Sequence, residues 1–165
     1  MNKTSHEVTA DLYALVRVSL LAGMVNGGLY HDGCRPRDSH AEDIVIVYLA
    51  GQPGEIQSCL VNLQVFVPDL DPWQNGVLVC DHERTMRIER EAAQMVEDLT
   101  AAVTNYRIRL NDTIHTIDAP DLGQHIVIVP LRMDYWTDGY VDTIDTDVEA
   151  FRTSQLRQFK VQATS

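Results

Sequence analysis

The segment at residues 56–67 constrains the fold of this chain most strongly, because apolar and polar side chains alternate along it. Successive side chains of a β-strand point to opposite faces, so the alternation predicts a strand with one buried face. Its apolar positions are Cys59, Val61, Leu63, Val65 and Val67. The other face carries the polar residues Ser58, Asn62 and Gln64, with Leu60 and Phe66 as exceptions. A half-buried strand of this kind is typical of an antiparallel sheet that is covered on one face only.

Two amphipathic helices are predicted to cover that face. The first spans residues 4–22 and begins with Thr4 and Glu7 at the spacing of a capping box. The second spans residues 83–103, where apolar side chains recur at three- and four-residue steps. Further extended segments are predicted at residues 29–31, 43–49, 106–110, 113–117 and 125–136. Pro130 lies inside the last of these and favours an edge strand or a bulge there.

The order of these elements predicts the fold class. Helix, strands, helix and strands in succession favour an α+β domain rather than alternating βαβ units. We expect a mixed, mainly antiparallel sheet of about four to five strands, packed against the two amphipathic helices. With 165 residues in the chain, one domain is expected at residues 1–136, followed by a C-terminal extension or arm at residues 137–165.

The arm carries its own apolar stripe. A short helix is predicted after the acidic, turn-like stretch that follows Trp136, and its apolar residues are Val148, Phe151, Leu156 and Phe159. Such a stripe must be covered by another surface. Docking onto a neighbouring subunit and docking back onto the chain's own domain both remain open at this point.

The charge of the chain excludes one broad class of partner. It has 24 acidic and 13 basic residues, for a formal net charge of −11, whereas nucleic-acid-binding proteins carry a basic patch. No stretch approaches the roughly 20 apolar residues that span a bilayer, and the N-terminus lacks the pattern of a signal peptide. These features predict a protein that is made in the cytoplasm and does not contact a membrane.

Motifs of catalysis and cofactor binding are missing from the sequence. It contains no GxSxG, GxGxxG or GxxxxGK[ST], and Met86 stands where a zincin helix beginning at His82 would need its second histidine. We therefore predict no catalytic residue, no cofactor and no metal ligand, so the chain is not expected to be an enzyme. The alternative is a small enzyme whose site is dispersed over the sequence, with several of His31, His82, His115 and His125 beside acids in one pocket.

Three segments carry a resemblance to a known family. They are Gly-Gly-Leu-Tyr-His-Asp at residues 27–32, Val-Asn-Leu-Gln-Val-Phe-Val-Pro-Asp-Leu at residues 61–70, and Leu-Arg-Met-Asp-Tyr-Trp at residues 131–136. With the helices around them, they resemble the tail-terminator and tail-completion proteins of long-tailed bacteriophages over about residues 5–136. The long connection at residues 68–84 and the segment after Trp136 depart from the compact pattern of that family.

The resemblance implies a structural role in the virion. Such proteins form a ring, usually a hexamer, that caps the tail tube and joins it to the head–tail connector or stopper protein. DNA passes through the centre of the ring without specific binding, and the family has no catalytic residues to carry over. The protein would be located in the neck of the virion after synthesis in the host cytoplasm. Another neck component, such as a head-completion or connector protein, is the nearest alternative.

Two groups of residues are candidates for contacts between subunits. A closed ring needs complementary surfaces on each copy, and the partly polar strand face and the apolar stripe of the arm could supply them. The candidate interface residues are Asn62, Gln64, Phe66, Phe151, Leu156 and Phe159.

Overall fold

A computed structural model describes the backbone of residues 2–137 and 144–164, and the side chains of these residues up to residue 158. Within these ranges the helices are α1 (Ser5–Arg17), α2 (Leu20–Met24), α3 (His82–Ala102) and α4 (Ile144–Thr164). The strands are β1 (Leu29–His31), β2 (Ile44–Gln52), β3 (Ile56–Pro68), β4 (Arg107–Leu110), β5 (His115–Ala119) and β6 (Gln124–Trp136). The predicted α+β class is confirmed, with six strands in place of four to five. Among the described residues there are four α-helices, where two amphipathic helices and a short helix in the arm were predicted.

The sheet is mixed and mostly antiparallel, as predicted. Its order is β1-β2-β3-β6, and the outer edge of β6 is shared by β4 and β5. β1 and β2 pair in parallel, whereas the other pairs are antiparallel. β3 and β6 pair along their whole lengths, from Ile56 opposite Trp136 to Pro68 opposite Gln124. This two-stranded centre extends beyond its neighbours and gives the sheet its long axis.

One face of the sheet carries the core. α1 packs against β1 and β2, and α3 packs against β3, β4 and β6. The apolar positions of the alternating strand face these helices and are buried, as the pattern predicts. Fully buried side chains from the helices and from the sheet include Leu12, Leu15, Ile88, Met95, Leu99, Ile46, Leu63, Ile108 and Leu131.

The first helical segment differs from its prediction because Ser19 interrupts it. The capping box is confirmed, since the Thr4 side chain accepts a hydrogen bond from the Glu7 N–H and the Glu7 side chain returns to the Thr4 backbone. Ser19, however, has extended backbone angles, and its hydroxyl accepts from the N–H of Ala22 at 3.1 Å. A serine in this role caps a new helix, so α1 ends before it and α2 begins after it.

The expectation that Pro130 marks an edge strand or a bulge is wrong. β6 is a central strand, with β3 on one side and β4 and β5 on the other. The carbonyl of Pro130 accepts from the N–H of Asn111 on the β4–β5 side. A residue's N–H and C=O point to the same side of a strand, so the missing N–H of Pro130 faces the gap between β4 and β5.

A partly buried ion pair attaches the start of α3 to the loop before β2. Nε and Nη2 of Arg84 lie 2.6 and 2.8 Å from the two carboxylate oxygens of Glu42, and Nη2 also donates to the carbonyl of Met24. Hydrogen bonds to Glu42 raise the pKa of Arg84 against the opposing effect of burial. Bidentate pairing of this kind constrains the relative orientation of the two side chains, so it fixes the start of α3 relative to the end of α2 and the start of β2.

α4 packs onto its own domain, against α1 and α3. The buried carboxylate of Asp147 accepts hydrogen bonds from the backbone and side chains of Thr104 and Asn105. One turn and two turns further on, Phe151 is fully buried in the main core, and Gln155 bridges α2 and α3 through Leu20 and Asp98. The described part of the predicted arm is therefore the fourth helix of the helical layer.

Candidate assembly surfaces

The face of the sheet that lies away from the helices is the first candidate surface. Asn62 and Gln64 alternate with the buried positions of β3, so their side chains lie on this face and are half-buried. Their cross-strand neighbours on β2 and β6 are Val47, Pro130, Val45 and Ile128. The predicted placement of Asn62 and Gln64 on the second face of β3 is thus confirmed, and we call this surface the open face.

Phe66 lies on the same face but contributes little surface to it. The guanidinium of Arg35 lies 3.8 Å from the centre of the Phe66 ring, and only 8% of Phe66 is exposed. A cation over an aromatic face is attracted by the ring's quadrupole, so the loop that carries Arg35 is held against this end of the sheet. The expectation that Phe66 presents itself to a neighbour is wrong for this fold, because its own chain covers it.

Asp43 holds the covering loop in place. Its carboxylate accepts hydrogen bonds from Ser39, from the N–H of Gly28 at 2.8 Å and from Nε of Arg35 at 2.9 Å. Burial acts to raise the pKa of Asp43, but these hydrogen bonds and the Arg35 charge outweigh it and lower the pKa. Gly27 is required here, since a Cβ at this position would lie 2.1 Å from the Asp43 carboxylate.

The other end of the open face is uncovered and polar. A depression of about 370 Å³ is lined by Ala50, Gly51, Gln52, Ser58, Leu60, Asn111 and Arg132. Beside it, Asp134 accepts from the Ser58 hydroxyl at 2.5 Å and forms ion pairs with Arg132 and Arg109 at 3.2 and 3.8 Å. Apolar side chains at its border, such as Leu49, are about half-exposed, so the region mixes apolar area with fixed charges.

The apolar stripe of α4 divides between the interior and the surface. Phe151 is fully buried, which corrects its assignment to a subunit interface: α4 turns that side chain into the domain's own core. Leu156 is 58% exposed and remains available to a partner. The side chain of Phe159 lies outside the described residues.

A second apolar surface, which the sequence analysis did not assign, is the projecting loop at residues 69–79. Leu70 and Val79 pair through two backbone hydrogen bonds, and the Asp71 carboxylate accepts from the N–H groups of Asn75 and Gly76. These bonds order the loop, although Trp73 is 67% exposed at its tip. Its other exposed apolar side chains are Leu70, Val77 and Leu78. A tryptophan directly after Pro72, in a turn-rich segment, was the available signal in the sequence.

Three of the four histidines of the enzyme alternative lie in different places, and the fourth, His82, is the first residue of α3. His31 stacks on Tyr13 at the β1 edge, with ring centres 4.6 Å apart. His115 contacts the carbonyl of Thr113 at the β5 edge, on the other side of the sheet. His125 lies between the carboxylates of Asp69 and Asp118. Since β1 and β5 are at opposite edges, these three histidines do not share one pocket.

Of the three cysteines, Cys59 is buried and Cys80 is partly buried. Burial raises the pKa of Cys59 and that of Cys80, so both remain protonated near neutral pH. Cys34 is exposed, and all three cysteines are free.

Comparisons with known proteins add no family. The chain matches no protein-family model, and no curated protein is similar to it. Among the helices that the structure describes, none is both long and apolar enough to cross a bilayer.

Proposed function

We infer that the chain is a tail terminator of a long-tailed bacteriophage. In this role, copies of the protein assemble into a ring, hexameric as in the family it resembles, that closes the tail tube and joins it to the head–tail connector. DNA passes through the lumen of the ring. The proposal rests on the resemblance at residues 27–32, 61–70 and 131–136, together with the surfaces of the fold.

The open face is the observation that carries the proposal. The described helices that pack on the sheet contact the face that carries the core. On the opposite face of β2, β3 and β6, the Arg35 loop covers Phe66 at one end. Leu60, Asn62 and Gln64 are partly exposed on this face and lie beside the fixed charges of Arg132 and Asp134. Val45 and Ile128, the cross-strand neighbours of Gln64, are almost fully buried and fill the apolar centre. A surface with an apolar centre and charged margins is typical of subunit contacts, and a second copy is the occupant that a ring requires.

The projecting loop supports a second contact. A cluster of exposed apolar side chains on an ordered loop is typical of an interaction site, because binding a partner removes this apolar area from water. Trp73 at the tip is the residue type that most often dominates binding energy at interfaces. We assign this loop to an axial partner, the tail tube protein or the connector, because our proposal assigns the open face to the neighbouring copy.

The direct test is the assembly state of the purified protein. We expect light scattering after size exclusion to give a discrete oligomer, and negative-stain microscopy to give closed rings. Rings should also be found at the ends of tail tubes from the phage that encodes the chain. A protein that stays monomeric at every concentration and ignores tube ends would contradict the proposal, whereas rings that bind only the connector would favour another neck component.

A pair of variants links assembly to the open face. Gln64→Arg places a long cation between Val45 and Ile128, and we expect loss of the ring with an unchanged melting temperature. Gln94→Arg is the matched control, because Gln94 lies on α3 and the new side chain can still donate to Asp98. Equal loss of rings in both variants, or in neither, would remove the open face from the interface.

A further inference from the structure

His125 and two aspartates converge at one end of the sheet. His125 is paired with Val67 of β3 on one side and with Asp118 of β5 on the other. Cross-strand partners project from the same face, and Asp69 follows Val67 by two residues, so all three polar side chains come together. Ligand atoms of Asp69, Asp118 and His125 lie within 4.8 Å of one another.

Asp69 fixes the orientation and the tautomer of the imidazole. Its Oδ1 lies 2.5 Å from Nδ1 of His125, and only 6% of the Asp69 side chain is exposed. A carboxylate accepts hydrogen bonds, so Nδ1 carries the proton that it donates. In the neutral ring, Nε2 then has a free lone pair.

That lone pair faces a second acceptor. Nε2 of His125 lies 3.6 Å from Oδ1 of Asp118, whose side chain is 61% exposed. Two acceptors at this separation repel each other unless a proton or a metal ion lies between them. The Asp118 carboxylate makes no hydrogen bond to another described residue, so it is free to act as a ligand.

The spacing and the ligand types match a transition metal. Two ligands that are each about 2.1 Å from a tetrahedral Zn²⁺ lie about 3.4 Å apart, close to the observed separation. An imidazole nitrogen favours Zn²⁺, Co²⁺ or Ni²⁺ over Mg²⁺ and Ca²⁺, which prefer oxygen ligands alone. A buried carboxylate behind the ligating histidine is the usual second partner of such a site.

We propose that Nε2 of His125 and the carboxylate of Asp118 bind a divalent transition metal ion of the Zn²⁺ class, with Asp69 as the positioning residue behind the imidazole. Water or a residue of a partner protein completes the coordination. The site is independent of the proposed ring, because it is argued only from residues within one chain.

The test is calorimetric titration of the full chain, freed of metal with a chelator, with ZnCl₂ and separately with MgCl₂. We expect one Zn²⁺ per chain, no binding of Mg²⁺, and a weaker interaction by at least about tenfold in Asp118→Asn. Asp121→Asn removes an exposed carboxylate three residues away and should bind Zn²⁺ as the wild type does. Asp69→Asn should weaken binding by about 10–100-fold while leaving one site.

Three results would overturn the proposal. They are absence of Zn²⁺ binding by the wild type, an unchanged affinity in Asp118→Asn, and an equal loss in Asp118→Asn and Asp121→Asn. The second would assign the ion to other histidines, and the third would indicate an effect of overall charge. Circular dichroism without metal checks that Asp69→Asn folds, and the exposed Asp118 decides the matter if it does not.

Discussion

The pKa values of two carboxylates, Asp43 and Glu91, are shifted in opposite directions in this fold. Three hydrogen-bond donors meet the carboxylate of Asp43 and lower its pKa in spite of burial. Glu91 on α3 has no such donors: burial, reinforced by the charge of Asp98, raises its pKa, and its Oε1 has no hydrogen-bond partner among the described residues. The stability that Asp43 contributes is present above its usual pKa of about 3.9 and is lost as the pH falls through its lowered value.

Glu91→Gln is expected to stabilise the protein at pH 7. A raised carboxylate pKa means that the folded state holds its proton to higher pH than the unfolded state. Stability therefore falls as the pH rises above the unfolded value of about 4.3. Gln removes the poorly solvated charge and its repulsion by Asp98, so the free energy of unfolding should rise by about 1 kcal/mol. Urea denaturation at several pH values measures this.

The pH dependence provides the check on Glu91. Below about pH 4 the carboxyl is protonated in both states, so the advantage of the glutamine should disappear there. Glu97→Gln is the matched control, because Glu97 is exposed on the same helix and its substitution should change little. A constant advantage at all pH values would show that the effect is not electrostatic.

At the scale of the element, α4 is the most informative part of the fold. Its polar contacts, from Asp147 to Thr104 and Asn105 and from Gln155 to Leu20, connect it to α2 and to the connection between α3 and β4. Phe151 lies between these two contacts and is fully buried. These contacts make α4 part of the domain core. The sequence pattern instead predicts a domain at residues 1–136, with the rest of the chain as an arm.

Two truncations separate the buried side of α4 from its exposed side. Phe151→Ala should lower the free energy of unfolding by about 3–5 kcal/mol, because it removes a fully buried aromatic ring. Leu156→Ala should change it by less than about 0.5 kcal/mol, since Leu156 is mostly in water. Urea denaturation followed by circular dichroism compares them. Equal, small effects would mean that α4 does not dock on the domain in solution.

At the scale of the whole molecule, charge limits the partners. With a net charge of −11, each copy repels phosphate, and the repulsion grows with every copy in an oligomer. This is compatible with DNA passing through a ring without adhering to it.

We expect no binding of double-stranded DNA at about 0.15 M salt, because too few basic side chains are available to release counterions. Fluorescence anisotropy with a labelled duplex measures this, both for the monomer and for the assembled ring. Micromolar binding that weakens linearly with the logarithm of salt concentration would reveal a basic surface and would contradict a passive lumen.

The sequence by itself determined those features that depend on neighbours along the chain. The alternation of β3, the capping box of Thr4 and Glu7, and the apolar stripe of α3 are all local. For β3 and α3 the pattern also predicts which face is buried. The two polar residues Asn62 and Gln64 follow from the same alternation, because a strand has a period of two.

Only the tertiary structure decided which surface covers each face. The burial of Phe151 depends on Asp147 meeting Thr104, 43 residues earlier in the chain. Likewise, Phe66 is hidden by Arg35, and His125 meets Asp69 and Asp118 only because β3, β5 and β6 are adjacent. The periodicity of a segment predicts that one of its faces is apolar. Which other element covers that face depends on how segments distant in sequence pack together, and no local pattern encodes this.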